Sequence, residues 1–177
     1  MKKMKTFGWA AFAALTLAFT GCSSDDNGGG NSSLDTYITA KVDGNSFETY
    51  SINGQSLGVA TRSGTGESSA IIISCSNATA VTATQFESIQ IALIGITAPG
   101  TYQVNANTNS TLGYVMATPT NVSWDTGDCE GATGTVTITT LNETKVEGTF
   151  SFTGAKDDDC ASHKVVTNGE FRGTFMN

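Results

Sequence analysis

The feature that most constrains the fold is a two-residue period in the last third of the chain. Thr135 to Leu141 reads TVTITTL, with Val136 and Ile138 on one side and Thr135, Thr137 and Thr139 on the other. After Asn142-Glu143-Thr144 the chain returns through Val146, Phe150 and Phe152 on one face. A period of two is that of a half-buried strand, because successive side chains point to opposite faces of a sheet. Two such runs around a short polar turn form a hairpin. The same grammar recurs upstream. Tyr37 to Val42 alternates into the turn dipeptide Asp43-Gly44, Ile89, Ile91 and Leu93 alternate in Ser88–Ile96, and Pro99-Gly100 turns the chain into Thr101–Val104. Ala70 to Cys75 (AIIISC) is a continuous apolar run, expected as a strand buried on both sides or crossing the core. Lys156 to Asp159 reads as a loop before a closing strand from Val165 to Phe175. No segment has convincing helical periodicity. With 20 glycines and only 2 prolines, the composition also favours strands and turns. The expectation is all-β: a single antiparallel β-sandwich or β-barrel domain of about ten short strands.

Residues 1–21 follow a different grammar. Lys2, Lys3 and Lys5 precede an apolar stretch from Phe7 to Phe19, and Thr20-Gly21 are small. This is the layout of a secretory signal peptide, and the apolar run of about 15 residues falls short of the ~20 that span a bilayer. Phe19-Thr20-Gly21-Cys22 resembles the lipobox of bacterial lipoproteins. That resemblance implies cleavage before Cys22 and acylation of its thiol and new amine. Phe19 departs from the usual Leu. The segment 22–33 contains SSDDNGGGNSS and reads as a lipidated cysteine with a flexible tether, leaving 34–177 for the β-domain. Asp25 and Asp26 look like the acidic pair that serves as a surface-export signal in some lipoproteins. A solvated linker holding two acids is the other reading.

Cleavage removes three lysines and no acid, taking the net charge from −7 to −10. So acidic a surface repels phosphate backbones and anionic headgroups, so no nucleic-acid partner is expected. Lipidation uses Cys22 and leaves Cys75, Cys129 and Cys160, of which one pair can bridge in an oxidising compartment. Extending the final hairpin with paired numbers summing to about 288 sets Cys129 opposite residue 159, next to Cys160, within bridging reach. Cys129–Cys160 is therefore the expected disulfide, with Cys75 a small buried core residue; three free thiols or a bridge from Cys75 is the other reading.

Little in the chain suggests chemistry. The lone His163 has no nucleophile elbow around any serine and reads as solvated. Asp125, Asp128, Asp157 and Asp159 are weak candidates for Ca²⁺, because both acidic runs fall at the open end of the hairpin. Acidic loops are more often simply solvated. Cys129, Cys160 and His163 lack the spacing of a zinc site. Trp124 and Tyr114, with Tyr102 and Tyr50, are candidate aromatic platforms for a glycan, although strand aromatics are more often core.

The segments Thr39–Phe47, Pro99–Tyr102, Gly134–Thr139, Val146–Phe152 and Thr167–Phe171 resemble a family of uncharacterised lipoproteins of Bacteroidetes type, a domain of unknown function. The likeness spans nearly the whole mature domain. It implies an all-β fold and carries no catalytic residue. The function expected from the sequence is that of a lipid-anchored envelope or cell-surface domain at the outer membrane. It is expected to bind or assist rather than catalyse, without a cofactor. Its partners would be the membrane, through Cys22, and a glycan, an apolar small ligand or another envelope protein. An enzyme of unrecognised type is the competing class.

Overall fold

The structure, a computed structural model, describes residues 36–79, 83–118 and 121–176. It holds thirteen strands in chain order: β1 (Tyr37–Val42), β2 (Asn45–Glu48), β3 (Ser51–Ile52), β4 (Gln55–Ser56), β5 (Gly58–Ser63), β6 (Ala70–Ser76) and β7 (Phe86–Ile94). Then follow β8 (Gly100–Asn105), β9 (Thr111–Ala117), β10 (Val122–Asp125), β11 (Thr133–Leu141), β12 (Lys145–Lys156) and β13 (Asp159–Thr174). The only helical turn among the described residues is a 3₁₀ turn over Gly66–Ser68.

Eleven strands form one antiparallel sheet, nine of them in the order β2-β1-β13-β12-β10-β9-β7-β6-β5 with β11 and β8 off that path, and β3 and β4 form a separate ribbon. The twelve-residue β12 changes partner along its length. Its first part pairs with β11, which pairs onward with β8, and its end pairs with β10. The sheet therefore branches at β12 and curls into a half-barrel. The curl brings β5 back toward the end of β13: Ala60 bridges Phe175, and Arg62 lies over the Phe175 ring.

The period-two pattern sets which face goes inside. Val136, Ile138, Val146, Phe150, Phe152, Ile89, Ile91 and Leu93 are all buried, in one apolar cluster with Ile38, Ile71, Ile73, Leu112 and Phe171. Phe150 and Phe171 depend on missing side chains opposite them. Phe150 pairs with Gly169, and Phe171 with Gly148. A Cβ on Gly169 would lie 2.5 Å from the Phe150 ring, and one on Gly148 would come within 2.9 Å of Phe171. The bare backbone at each glycine is the bed on which a ring lies.

Turn chemistry completes the local account. Asp43 and Gly44 both have positive φ (48° and 84°), as the tight β1–β2 hairpin requires. Asn53-Gly54 does the same between β3 and β4, a turn signal absent from the expectations above.

Two expectations are corrected. The run Ile71-Ile72-Ile73 is not buried on both sides: Ile71 and Ile73 face the core, but Ile72 is 39% exposed, because only one face of β6 is covered. And the closing strand does not start at Val165: the connection expected over Lys156–Asp159 is a two-residue turn at Asp157-Asp158, with Lys156 paired to Asp159, so β13 begins there and runs for sixteen residues.

Candidate functional site

The sheet has an outer face as well as a filled inner one. Between Val146 and Phe152 the residues pointing outward are Glu147, Thr149 and Ser151, and on β11 they are Thr135, Thr137 and Thr139. Where β11, β12 and β13 lie side by side, this face holds two adjoining depressions that share Thr149 and Glu170. The larger, of about 560 Å³, is bordered by Thr135, Thr137, Ser151, Thr167 and Asn168. The smaller, of about 280 Å³, runs on past Glu147 and Arg172 to Tyr37.

A bulge shapes the larger one. Phe150 pairs with Gly169 but Phe152 pairs with Val166, so Ser151 alone faces both Thr167 and Asn168. On the other side Thr39 pairs with Glu170 and Lys41 with Thr167, so β13 carries the extra residue against both neighbours. Asn168 sits at that bulge with φ of 51°. A bulge re-aims side chains and bends its strand.

Of the two carboxylates on this face, Glu147 is ion-paired and Glu170 is held only by a tyrosine hydroxyl. The Glu147 Oε1 accepts hydrogen bonds from Arg172 Nε (2.7 Å) and Lys145 Nζ (3.1 Å). Burial works against the Glu147 carboxylate, but those two donors hold its pKa below the ordinary value. The Tyr37 hydroxyl donates to Glu170 Oε1 at 3.2 Å, and burial together with Glu170 raises the phenol's pKa. Further along, Thr101 and Thr137 hydroxyls lie 3.0 Å apart, and Thr135 donates to Gln103. By contrast, the side chains of Thr149, Ser151, Thr167 and Asn168 make no hydrogen bond among the described residues.

The residues singled out in the sequence lie elsewhere. Cys22, Asp25 and Asp26 fall outside the described residues, as do the leader and the tether. Cys129 and Cys160 form a disulfide with Cα atoms 5.7 Å apart, and Cys75 is free and buried. Burial pushes the Cys75 thiol up to about 12, so it stays protonated and unreactive.

Trp124 and Tyr114 are not exposed platforms. They pair across β9 and β10 with ring centroids 5.8 Å apart, and keep only 8% and 1% of their surface exposed. Trp124 Nε1 donates to Ser162 Oγ, Lys164 Nζ stands 5.5 Å from its ring centre, and the Tyr114 hydroxyl donates to Glu87. Alternation put both aromatics on the inward face, where their polar tips found partners at the rim. Tyr102 is half-buried, with its hydroxyl on the Ala98 carbonyl, and Tyr50 is 39% exposed.

The four aspartates do not converge as a cation site. Asp125 is buried, and its Oδ1 accepts the Gly127 N–H at 2.7 Å, closing a turn. Asp128, Asp157 and Asp159 are exposed. Among the described residues no three His, Cys, Asp or Glu side chains gather closely enough to hold a metal. Asp125 and Asp128 both titrate above the ordinary carboxylate value, chiefly through burial, with the neighbouring negative charge of Asp157 adding to it. His163 is exposed, its Nδ1 2.9 Å from the Ala161 carbonyl oxygen.

This architecture defines a curled, antiparallel all-β domain with its apolar face inside and a hydroxyl-lined groove outside. The family model of a domain of unknown function, DUF6252, matches residues 64–174, and the chain belongs to that family. No curated protein and no solved structure matches the chain.

Proposed function

We propose that this chain is a lipid-anchored domain of the outer membrane or cell surface that binds a partner rather than transforms one. The observation that carries the binding half is the contrast between the two faces of the sheet. The inner face is taken up by a contiguous apolar cluster, and every buried side-chain nitrogen or oxygen among the described residues has a partner. The outer groove instead presents hydroxyl, amide and carboxylate groups whose hydrogen-bonding capacity is turned outward. A ligand therefore meets this domain on its outer face. An apolar small ligand inside the curl would have to displace core side chains, which favours the groove over that alternative.

The anchoring half rests on the leader, the lipobox-like Phe19-Thr20-Gly21-Cys22 and the polar tether. Three acyl chains at Cys22 would hold the protein firmly, since each buried CH₂ adds roughly 0.8 kcal/mol. Asp25 and Asp26 would assist passage to the surface.

Two measurements test the reading. Cells fed an alkyne-tagged fatty acid should label the wild type and not Cys22→Ala, and equal labelling of both rejects the anchor. Retention on crude envelope material should fall when Thr137 and Thr149 are both replaced by Arg, whose bulk and charge fill the groove. Unchanged retention rejects the groove as the binding face.

A further inference from the structure

We propose that the outer groove recognises a neutral, polyhydroxylated chain, that is, a glycan without charged substituents, and that Asn168 and Glu170 read its hydroxyl groups. The inference rests on the groove being the binding face and adds the chemistry of what it binds.

The geometry of β13 carries it. Asn168 occupies a left-handed backbone position at the bulge, where glycine would be free of strain. Asn is among the few side-chain-bearing residues that enter this region readily, so the bulge presents an amide where most residues could not sit. That side chain is a carboxamide, two donors and an acceptor, without a partner among the described residues. Two positions on, Glu170 borders the groove and accepts from Tyr37 through Oε1 only, so Oε2 keeps its acceptor capacity. An amide and a carboxylate set beside the hydroxyls of Thr149, Ser151 and Thr167 match alternating donors and acceptors, as the hydroxyls of a sugar ring require. The half-buried Tyr37 borders the far end of the smaller depression.

Other ligand classes fit less well. The nearby cations Arg172 and Lys145 are both engaged by Glu147, and the whole chain carries −7. An anion finds no free cationic cluster there. An extended peptide adds to a sheet edge, whereas β12 and the groove part of β13 have both edges already paired. A lipid tail would meet threonine hydroxyls instead of an apolar floor. The two depressions are shallow and open, so they suit a chain laid along the sheet better than an enclosed small ligand.

The test uses the full-length chain in detergent micelles and affinity electrophoresis through gels containing dextran, xylan, a mixed-linkage β-glucan, heparin or no additive. The expected result is retardation by at least one neutral polysaccharide and none by heparin. Asn168→Gly keeps the left-handed backbone and removes only the amide. It should weaken binding about tenfold with an unchanged melting curve, the effect of one or two lost hydrogen bonds. Glu170→Gln should weaken it as well, whereas Glu143→Gln, on the hairpin turn away from the groove, should not. Retardation only by heparin, retardation by none of the three neutral polymers, or full binding by Asn168→Gly overturns the proposal. If failure to bind the neutral polymers accompanies groove-dependent retention on envelope material, the binding face survives and its ligand class falls, whereas full binding by Asn168→Gly removes the role given to that amide.

Discussion

Neighbouring positions on β12 have opposite fates. Phe150 and Phe152 turn inward, lose nearly all their exposure, and lie with ring centroids 6.3 Å apart. Thr149 and Ser151, one residue away from them, stand on the outer face at the groove. Inside, shape decides: rings lie over glycines, and a single added carbon collides. Outside, hydrogen-bonding capacity decides, and the backbone irregularity of β13 is absorbed without an apolar gap. The inner face therefore sets stability and leaves the outer face free to vary, so substitutions on the two faces of one strand should separate stability from binding.

The sharpest break of that contrast is Phe150→Ala. Its ring packs against Phe152 and, at 6.2 Å, Phe171, and covers Gly169. Truncation leaves a cavity that two neighbouring rings cannot fill, at a cost of about 3–5 kcal/mol. Urea denaturation should show the midpoint collapse. A loss below about 1 kcal/mol would mean that the core relaxes around the missing ring and that its fit is not what holds the sheet.

The second test concerns the end of the sheet away from the glycine-supported rings. The Cys129–Cys160 bridge joins the β10–β11 connection to the start of β13 across 31 residues. Cross-linking a loop of that length removes unfolded-state entropy worth about 3–4 kcal/mol. Cys129→Ala with Cys160→Ser should lower stability by that order, and reductant should do the same to the wild type and nothing further to the variant. If reductant leaves the wild-type melting curve in place, the bridge adds no stability.

Much of the inner face was legible in the sequence, and the reason is visible in particular strands. Val136, Ile138, Val146, Phe150 and Phe152 alternate cleanly because one side of each strand is covered, so pattern and burial coincide. The expected pairing sum of about 288 was two too high: Val136 meets Phe150 and Thr133 meets Thr153. A shift by an even number keeps every side chain on its face. Cys160 is nevertheless reached through a tight turn at Lys156–Asp159, not through the loop expected there. The outer site was half legible. Alternation puts Thr135 and Thr137 outside, but the bulge at Asn168 depends on register with β1 and β12 together, which no local pattern encodes. Trp124 and Tyr114 took the core alternative of the sequence reading, because an aromatic on a strand reads the same whether it faces solvent or core.

Ionisable groups divide along the same line between strain and support. Asp43 on the exposed β1–β2 turn is held below the ordinary carboxylate value by hydrogen bonds from Lys164 and the Val165 N–H. A lowered folded-state pKa adds stability above the unfolded value, and that contribution disappears as pH falls through the folded one. Asp125 has the opposite sign. Its raised pKa means that its contribution is fully present below the unfolded value and is lost as pH rises through the folded value. Asp125→Asn keeps an oxygen for the Gly127 N–H and removes the charge. It should be as stable as the wild type or more so at pH 7, with the difference closing near pH 3. Asp125→Ala loses the turn hydrogen bond and should cost about 1 kcal/mol at both pH values. A wild type that outlasts Asp125→Asn at pH 7 would show that the charged form is stabilised after all, for instance by a bound cation.

The smallest effect is expected from Thr137→Val on the outer face, and it carries the comparison furthest. Thr137 is β-branched and half-buried, its hydroxyl 3.0 Å from that of Thr101, and it borders the groove. Valine keeps the branching and the volume and has equal or better strand preference. The hydroxyl pair it breaks is exposed, so water can replace the lost partner. Stability should therefore change by less than about 0.5 kcal/mol in either direction, as for most surface substitutions. On the inner face a change of one polar atom of this kind, such as Val136→Thr, should cost several times more, because the new hydroxyl enters a fully buried position without a partner. Measuring both by urea denaturation compares the same chemical exchange on two sides of one strand. Equal losses would show that the outer face is packed against something the chain itself supplies, and the groove would no longer be free to receive a ligand.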